Sequence, residues 1–239
     1  MAKENVFPVY LIAGFLDSGK TSFINGILSD GFAREDRTML LCCEEGETAY
    51  DPAVLRNVTV VTAEDQEQLT PAFLEAERRK CGAVQIIVEY NGMWQIQDFY
   101  VNAMPPSWAL YQIIAAVEGP TFEMYAKNMA SLMMEKLRNA DMICINRCTD
   151  ELKASLRRRN LRMVNRRAEI FLEDETGEAD DYRDGTVSAF DLTQPVIQIP
   201  DEDFGVFYVD VSDDLDMYLG KTVKFKGLVC QDRRFGPYF

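Results

Sequence analysis

Short apolar runs alternate along this chain with longer stretches whose apolar residues recur every three or four positions, the periods of a buried strand and of a helix packed on it. Val9-Tyr10-Leu11-Ile12-Ala13, Thr38-Met39-Leu40-Leu41-Cys42-Cys43 and the shorter Val58-Thr59-Val60-Val61 read as the first three strands. Ala83-Val84-Gln85-Ile86-Ile87-Val88-Glu89, Ala109-Leu110-Tyr111-Gln112-Ile113-Ile114-Ala115-Ala116-Val117 and residues 140–145 read as the next three. Between them, residues 22–28 set Phe23, Ile24, Ile27 and Leu28 on one helical face. Residues 66–80 do the same with Leu69, Phe73, Leu74 and Ala76, and residues 121–137 with Phe122, Tyr125, Met129, Leu132, Met133 and Leu137. Continuous apolar strands joined by helix-length connections predict a mostly parallel sheet with helices on both faces, an α/β three-layer sandwich that takes ligands at the carboxyl ends of its strands.

The turn between the first strand and the first helix carries the sharpest chemical signal. Gly14-Phe15-Leu16-Asp17-Ser18-Gly19-Lys20-Thr21 has the form GxxxxGK[ST], with a strand before it and a helix after it, as a phosphate-binding loop requires. Glycines let backbone N–H groups converge on an anion, and the helix adds its positive end. Lys20 would meet the terminal phosphates as a point charge, and the Thr21 hydroxyl would be a ligand of Mg²⁺. Asp17, Ser18, Gly19 and Ser22 complete the expected cradle.

Composition narrows the partners. The chain has 239 residues, 47% of them hydrophobic, enough for one substantial core. A formal charge of −14 argues against nucleic acid as a general partner, since phosphate backbones are bound by releasing counterions to Lys and Arg. Residues 153–167 are a local exception with seven basic side chains, read as a solvated helix face, and the acidic run 173–181 reads as an exposed loop. No apolar run approaches a membrane span and no secretory signal is legible at the start, so insertion into a membrane is not expected and the cytoplasm is the expected compartment. Six cysteines without CxxC spacing are expected to be buried thiols, and histidine is absent, which removes the commonest general base and transition-metal ligand.

Other candidate residues stand at the expected strand ends. Glu44-Glu45-Gly46-Glu47 follows the second strand and Glu89-Tyr90-Asn91-Gly92 the fourth. Glu45, Glu47 and Glu89 suit the metal shell of a bound nucleotide or the orientation of a water molecule, and Gly92 would bring its N–H to the terminal phosphate. Asn146-Arg147-Cys148-Thr149-Asp150, after the sixth strand, invites comparison with the NKxD element that reads guanine, with Asn146, Arg147 and Asp150 as candidates.

In this order the motifs resemble those of the CobW-like GTPases, the group that includes the UreG and HypB metallochaperones. Residues 12–21 are similar to the GFLGSGKT loop of that group, Cys43-Glu44-Glu45-Gly46-Glu47 to its NEFGE segment, Glu89-Tyr90-Asn91-Gly92 to its ExxG element, and Arg138-Asn139-Ala140-Asp141 with Asn146 to its "AD…NK" strand. The resemblance covers roughly residues 6–170. It implies a P-loop NTPase fold that binds GTP or GDP with Mg²⁺ and hydrolyses GTP slowly as a switch in metal or cofactor homeostasis, with Lys20, Glu45 and Glu89 at the reaction. A client metalloprotein, a permease and a homodimer are the partners left open. Two departures stand out. The CxCC metal motif of the family is missing, since residues 58–68 hold no cysteine, which leaves a transition metal and the roles of Cys42 and Cys43 open. Arg147 replaces the lysine of NKxD, with Thr149 at the aspartate position and Asp150 one residue late.

Three segments are expected: residues 1–172 as the nucleotide-binding domain, 173–200 as an acidic connection and the final core strand, and 201–239 as a short β-rich segment. Val206-Phe207-Tyr208-Val209 and the alternating 222–227 resemble the opening strands of an OB-like barrel, read as either truncated or an edge that awaits a partner. An ATP-dependent kinase or ligase and a non-hydrolysing partner module of a permease are the alternative functions.

Overall fold

The computed structural model describes residues 6–159, 161–182, 188 and 190–228. In chain order its elements are β1 (Phe7–Ala13), α1 (Lys20–Ser29), β2 (Thr38–Cys42), β3 (Val58–Thr62), α2 (Pro71–Cys81), β4 (Gln85–Glu89) and α3 (Ile96–Asp98), which runs into a π-helical turn, Phe99–Ala103. β5 (Trp108–Glu118), α4 (Phe122–Asn128), α5 (Ala130–Asn139), β6 (Met142–Asn146), α6 (Asp150–Arg158), β7 (Glu169–Glu173) and β8 (Ala179–Asp181) follow. β9 (Ile197–Gln198), α7 (Phe204–Asp213) and β10 (Val223–Lys224) complete the described chain.

Eight strands form one sheet in the order β3-β2-β4-β1-β5-β6-β7-β8, parallel throughout except for the last pair. Alternation along the central strands sorts their side chains to two faces. Leu11, Leu41, Val88 and Tyr90 join Leu74 of α2 and Phe99 on one face. Ile12, Leu40, Ile87 and Ala116 meet Ile24 and Leu28 of α1 on the other. A third cluster joins β6 and β7 to α4, α5 and α6 through Ile143, Ile145, Leu172, Phe122, Leu137 and Leu156. The three-layer P-loop NTPase-like sandwich expected from the sequence is therefore present, with β1 at its centre.

Several boundaries differ from expectation, each for a local reason. The helix expected over 121–137 is two helices, broken where Met129 leaves helical geometry at φ −131°, ψ 36°. The helix expected from residue 66 starts at Pro71, capped by Thr70, whose hydroxyl accepts from the Phe73 N–H at 3.2 Å. The acidic run 173–181 is a hairpin rather than a loop: Asp174 Oδ1 accepts from the N–H groups of Thr176 at 2.7 Å and Glu178 at 3.1 Å, and Gly177 turns the chain at φ 87°. Nor is the basic stretch a plain solvated face, since Lys153 is buried and donates to Asp180 of β8 at 2.8 Å. Its helix ends at Arg158, and the side chain of Arg158 lies outside the described residues.

The C-terminal part is a small separate sheet. Ile197 and Gln198, expected to close the core sheet, pair in parallel with Val223 and Lys224. Val206–Val209 lies inside α7 because Phe207 and Val211, one helical turn apart, pack on Ile197, Ile199 and Tyr218, and this burial overrides the β propensity of the run. Within the alternating 222–227 only β10 is strand, and residues 229–239, with the last part of the expected β segment, lie outside the described residues.

Candidate functional site

The phosphate-loop turn hugs the amino end of α1. Gly19 precedes the helix at φ 93°, and a Cβ built there would come within 2.4 Å of the Asn146 amide, so glycine is required on both counts. Asp17 also holds left-handed geometry, at φ 59°, a conformation that Asp tolerates better than most side chains do. Asn146 Nδ2 donates to Ser18 O at 2.8 Å and braces the loop from the end of β6.

Lys20 is 4% exposed, and its ammonium is surrounded by acceptors. Nζ donates to the carbonyls of Gly14 at 3.0 Å and Phe15 at 2.9 Å and to Glu44 Oε2 at 2.5 Å. The second oxygen of Glu44 accepts from the Gly92 N–H at 3.3 Å. Gly92 must be glycine, since a Cβ there would lie 2.6 Å from the carbonyl oxygen of Gly14. Next to this pair, Thr21 Oγ1 donates to Glu89 Oε1 at 2.8 Å, and the Tyr50 hydroxyl donates to Glu89 Oε2. Burial pushes the Glu89 carboxyl above its ordinary range, opposed by its bonds to Tyr50 and Thr21 and by the nearby charge of Lys20.

These groups face one cavity of about 190 Å³, lined among others by Asp17, Gly19, Lys20, Thr21, Ser22, Glu44, Glu47, Glu89 and Arg147. Eight of the sequence candidates line it, Gly14, Ser18, Gly92 and Asn146 stand behind or beside the loop, and two, Glu45 and Asp150, do not sit as expected. Glu45 is exposed and outside the cavity lining, while its neighbour Glu44 reaches in. The reason is strand alternation: Leu40 and Cys42 precede Glu44 on the α1 side of β2, and Glu45 turns away. Asp150 is the exposed first residue of α6 and does not line the cavity. Thr149, at the place of the guanine-reading aspartate, accepts from the Leu152 N–H at 3.3 Å as the cap of that helix. Arg147 lines the cavity at φ 53° with its guanidinium on Glu118.

The adjacent cysteines are divided by the same alternation. Cys43 lies in the core cluster with Tyr90 and Leu41, where burial drives its thiol pKa far up, whereas Cys42 Sγ bonds to the Glu44 carbonyl at 3.3 Å. Pointing to opposite faces, they cannot chelate one ion together. Among the described residues no group of three or more Cys, Asp or Glu is arranged to hold a metal by itself. This does not weigh against Mg²⁺, which uses one or two protein oxygens and completes its shell with phosphate and water. The oxygen-only set of Thr21, Glu47 and Glu89 fits such a hard cation.

Sequence reading missed three contributors. Tyr50 sits in a loop without periodicity, and nothing local marks it. Glu118 follows a long apolar strand and gives no signal of its own. Lys136 was legible in principle, because the spacing 129, 132, 133, 136, 137 puts it on the buried face of α5. It is 3% exposed, donates to the Trp94 carbonyl at 3.1 Å just after Gly92, and burial lowers its pKa to about 8.

Comparison with known proteins agrees with this geometry. A family model for the CobW/HypB/UreG nucleotide-binding domain matches residues 8–172. A search of curated proteins gives no match. Among solved structures, the hydrogenase maturation factor HypB from Archaeoglobus fulgidus superposes with a TM-score of 0.50 at 17% identity, over 76% of this chain and 87% of that one. A LAO/AO transport system kinase gives 0.45 at 14% identity, over 71% of this chain and 53% of that one. HypB from Helicobacter pylori, solved in complex with nickel, gives 0.41 at 16% identity, over 89% and 90%. At these identities the first of them speaks to the fold alone. With the family model spanning the sheet from β1 to β7 and every loop that lines the cavity, the chain belongs to the CobW/HypB/UreG family of nucleotide-binding domains.

Proposed function

We propose that the chain binds GTP with Mg²⁺ in the cavity at the phosphate loop and hydrolyses it slowly, as a switch in metal or cofactor homeostasis. The observation that carries this reading is the meeting of Lys20 and Thr21 from the head of α1 with Glu89 from the end of β4 around one polar cavity, with the Gly92 N–H just after β4 bonded to Glu44 of its lining. Ser18 Oγ and Asn146 Oδ1 add to it as buried polar atoms at the same loop without a hydrogen-bond partner, which is uncommon unless a ligand or water supplies one. Lys20 would offset charge on the transferring phosphoryl group, Thr21 and Glu89 would hold Mg²⁺, and Glu47 would add to its shell. The metal, when bound, neutralises phosphate charge and favours attack by water. With no histidine in the chain, the proton of that water goes to a carboxylate or to the phosphate itself. No arginine faces the cavity unengaged among the described residues, since Arg147 is held by Glu118, and slow turnover follows.

One observation favours ATP as a second reading: the hydroxyl at the guanine-reading position is spent on capping α6, and the carboxylate of Asp150 stands outside the cavity. Titration of wild type and Lys20→Ala with GTP and with ATP, with and without Mg²⁺, tests both. The GTPase reading expects tighter GTP binding that depends on Mg²⁺ and is lost in Lys20→Ala, together with phosphate release from GTP. Equal nucleotide affinity of the two proteins overturns it, and preference for ATP moves the assignment to the second reading.

A further inference from the structure

Glu44 has an unusual position for a carboxylate in a site meant for anions. One of its oxygens takes the Lys20 ammonium at 2.5 Å and the other takes the Gly92 N–H at 3.3 Å. These two donors come from different elements and are the ones a terminal phosphate would need, the ammonium at the head of α1 and the amide after β4. A carboxylate that spans both has the charge sign and the donor set of a phosphoryl group. It is also well held, with 12% of the side chain exposed and a partner lysine that is 4% exposed. Charge-assisted bonds of this kind are among the stronger ones in proteins.

Resting on the nucleotide-binding reading, we infer that Glu44 is a specificity-determining residue that competes with the third phosphate for Lys20 and Gly92, and so sets the balance between diphosphate and triphosphate nucleotides. A diphosphate leaves the bridge to Gly92 in place. A triphosphate brings a like charge against Glu44 and must expel the carboxylate before its last phosphate reaches either donor. Expulsion has a route, because residues 44–49 have no regular secondary structure and Gly46 follows two residues later. It also has a consequence, because Tyr50 at the end of that segment holds Glu89, so departure of Glu44 pulls on the carboxylate beside Thr21.

The test is direct binding of GTP, GDP and their adenine counterparts to the full chain, as wild type, Glu44→Gln and Glu44→Ala, with thermal melting of each to establish folding. In both variants the affinity for the triphosphate should rise relative to the diphosphate, by roughly ten- to a hundredfold, the range expected from removal of one competing charge-assisted bond. An unchanged triphosphate-to-diphosphate ratio in folded variants that still bind nucleotide overturns the role of Glu44 and leaves the nucleotide-binding reading standing. Loss of triphosphate binding with retained diphosphate binding also overturns it, since Glu44 would then assist the third phosphate. Failure of wild type to bind any of the four nucleotides overturns the functional reading and this inference with it.

Discussion

Cys42 and Cys43 are neighbours in sequence and opposites in environment, which makes them a sensitive probe of the site. Cys43→Ser places a hydroxyl in the core cluster with Leu41 and Tyr90, and we expect a loss of about 1–3 kcal/mol in urea unfolding, with a smaller loss for Cys42→Ser. Zinc or cobalt affinity in equilibrium dialysis should be the same in both variants as in wild type, because the two sulfurs do not share a face. Tyr50 offers a second probe. Tyr50→Phe removes the donor to Glu89 while keeping the ring, and the Mg²⁺ requirement for nucleotide binding should rise about tenfold, the lower end of what loss of a partner behind a metal ligand costs. At this scale much of the site was legible: the phosphate loop by its spacing, and Glu89 and Gly92 by their place after an apolar strand. The two-residue period of β2, carried past its end, puts Glu44 rather than Glu45 at the cavity. Tyr50 and Glu118 had no comparable sign, because their roles depend on partners 39 and 29 residues away.

Among the elements, α2 is tied to the sheet by Glu75. Its carboxylate accepts from Arg78 at 2.7 and 3.0 Å, from Arg79 at 2.8 Å and from the Trp108 indole N–H at 3.3 Å at the start of β5. The Arg78 guanidinium, with Arg79 and Trp108, lowers its pKa from 4.5 to about 2. A carboxylate with a depressed folded pKa contributes stability above its unfolded pKa and loses it as pH falls through the folded one. Glu75→Gln should therefore cost about 1–2 kcal/mol at pH 7, with 23% of the wild-type side chain exposed and partly screened, and the difference from wild type should close between pH 4.5 and about 2 in chemical denaturation. Helix and strand existence could be read from periodicity because burial on one or both faces imposes it. Element ends could not, since the break at Met129 and the hairpin at Gly177 are set by individual backbone angles that leave no periodic trace.

For the molecule as a whole, a parallel sheet between helices was legible, but its strand order was not, because nothing in an apolar run says which run it will lie beside. The C-terminal unit shows the same limit. Ile197, Phe207 and Tyr218 make a small core of their own, which a β-weighted reading of isolated runs does not anticipate. Since the cavity draws its lining from residues 16–147 and Tyr182 already closes the edge by donating to the Leu156 and Arg157 carbonyls, a chain ending after Tyr182 should keep the nucleotide affinity of the full chain in direct titration. Loss of binding would mean that the small sheet supports the site. The central place of β1 also bears on how the protein comes into being. The phosphate loop leaves the ribosome early, but the strands on either side of β1 follow much later, and the amide of Asn146 that steadies Ser18 lies 128 residues downstream. At cellular rates of synthesis that interval lasts on the order of ten seconds. During it the nascent chain carries its most recognisable motif without the neighbouring strands and the Asn146 brace that shape the loop, so a nucleotide site of this geometry is a late product of synthesis.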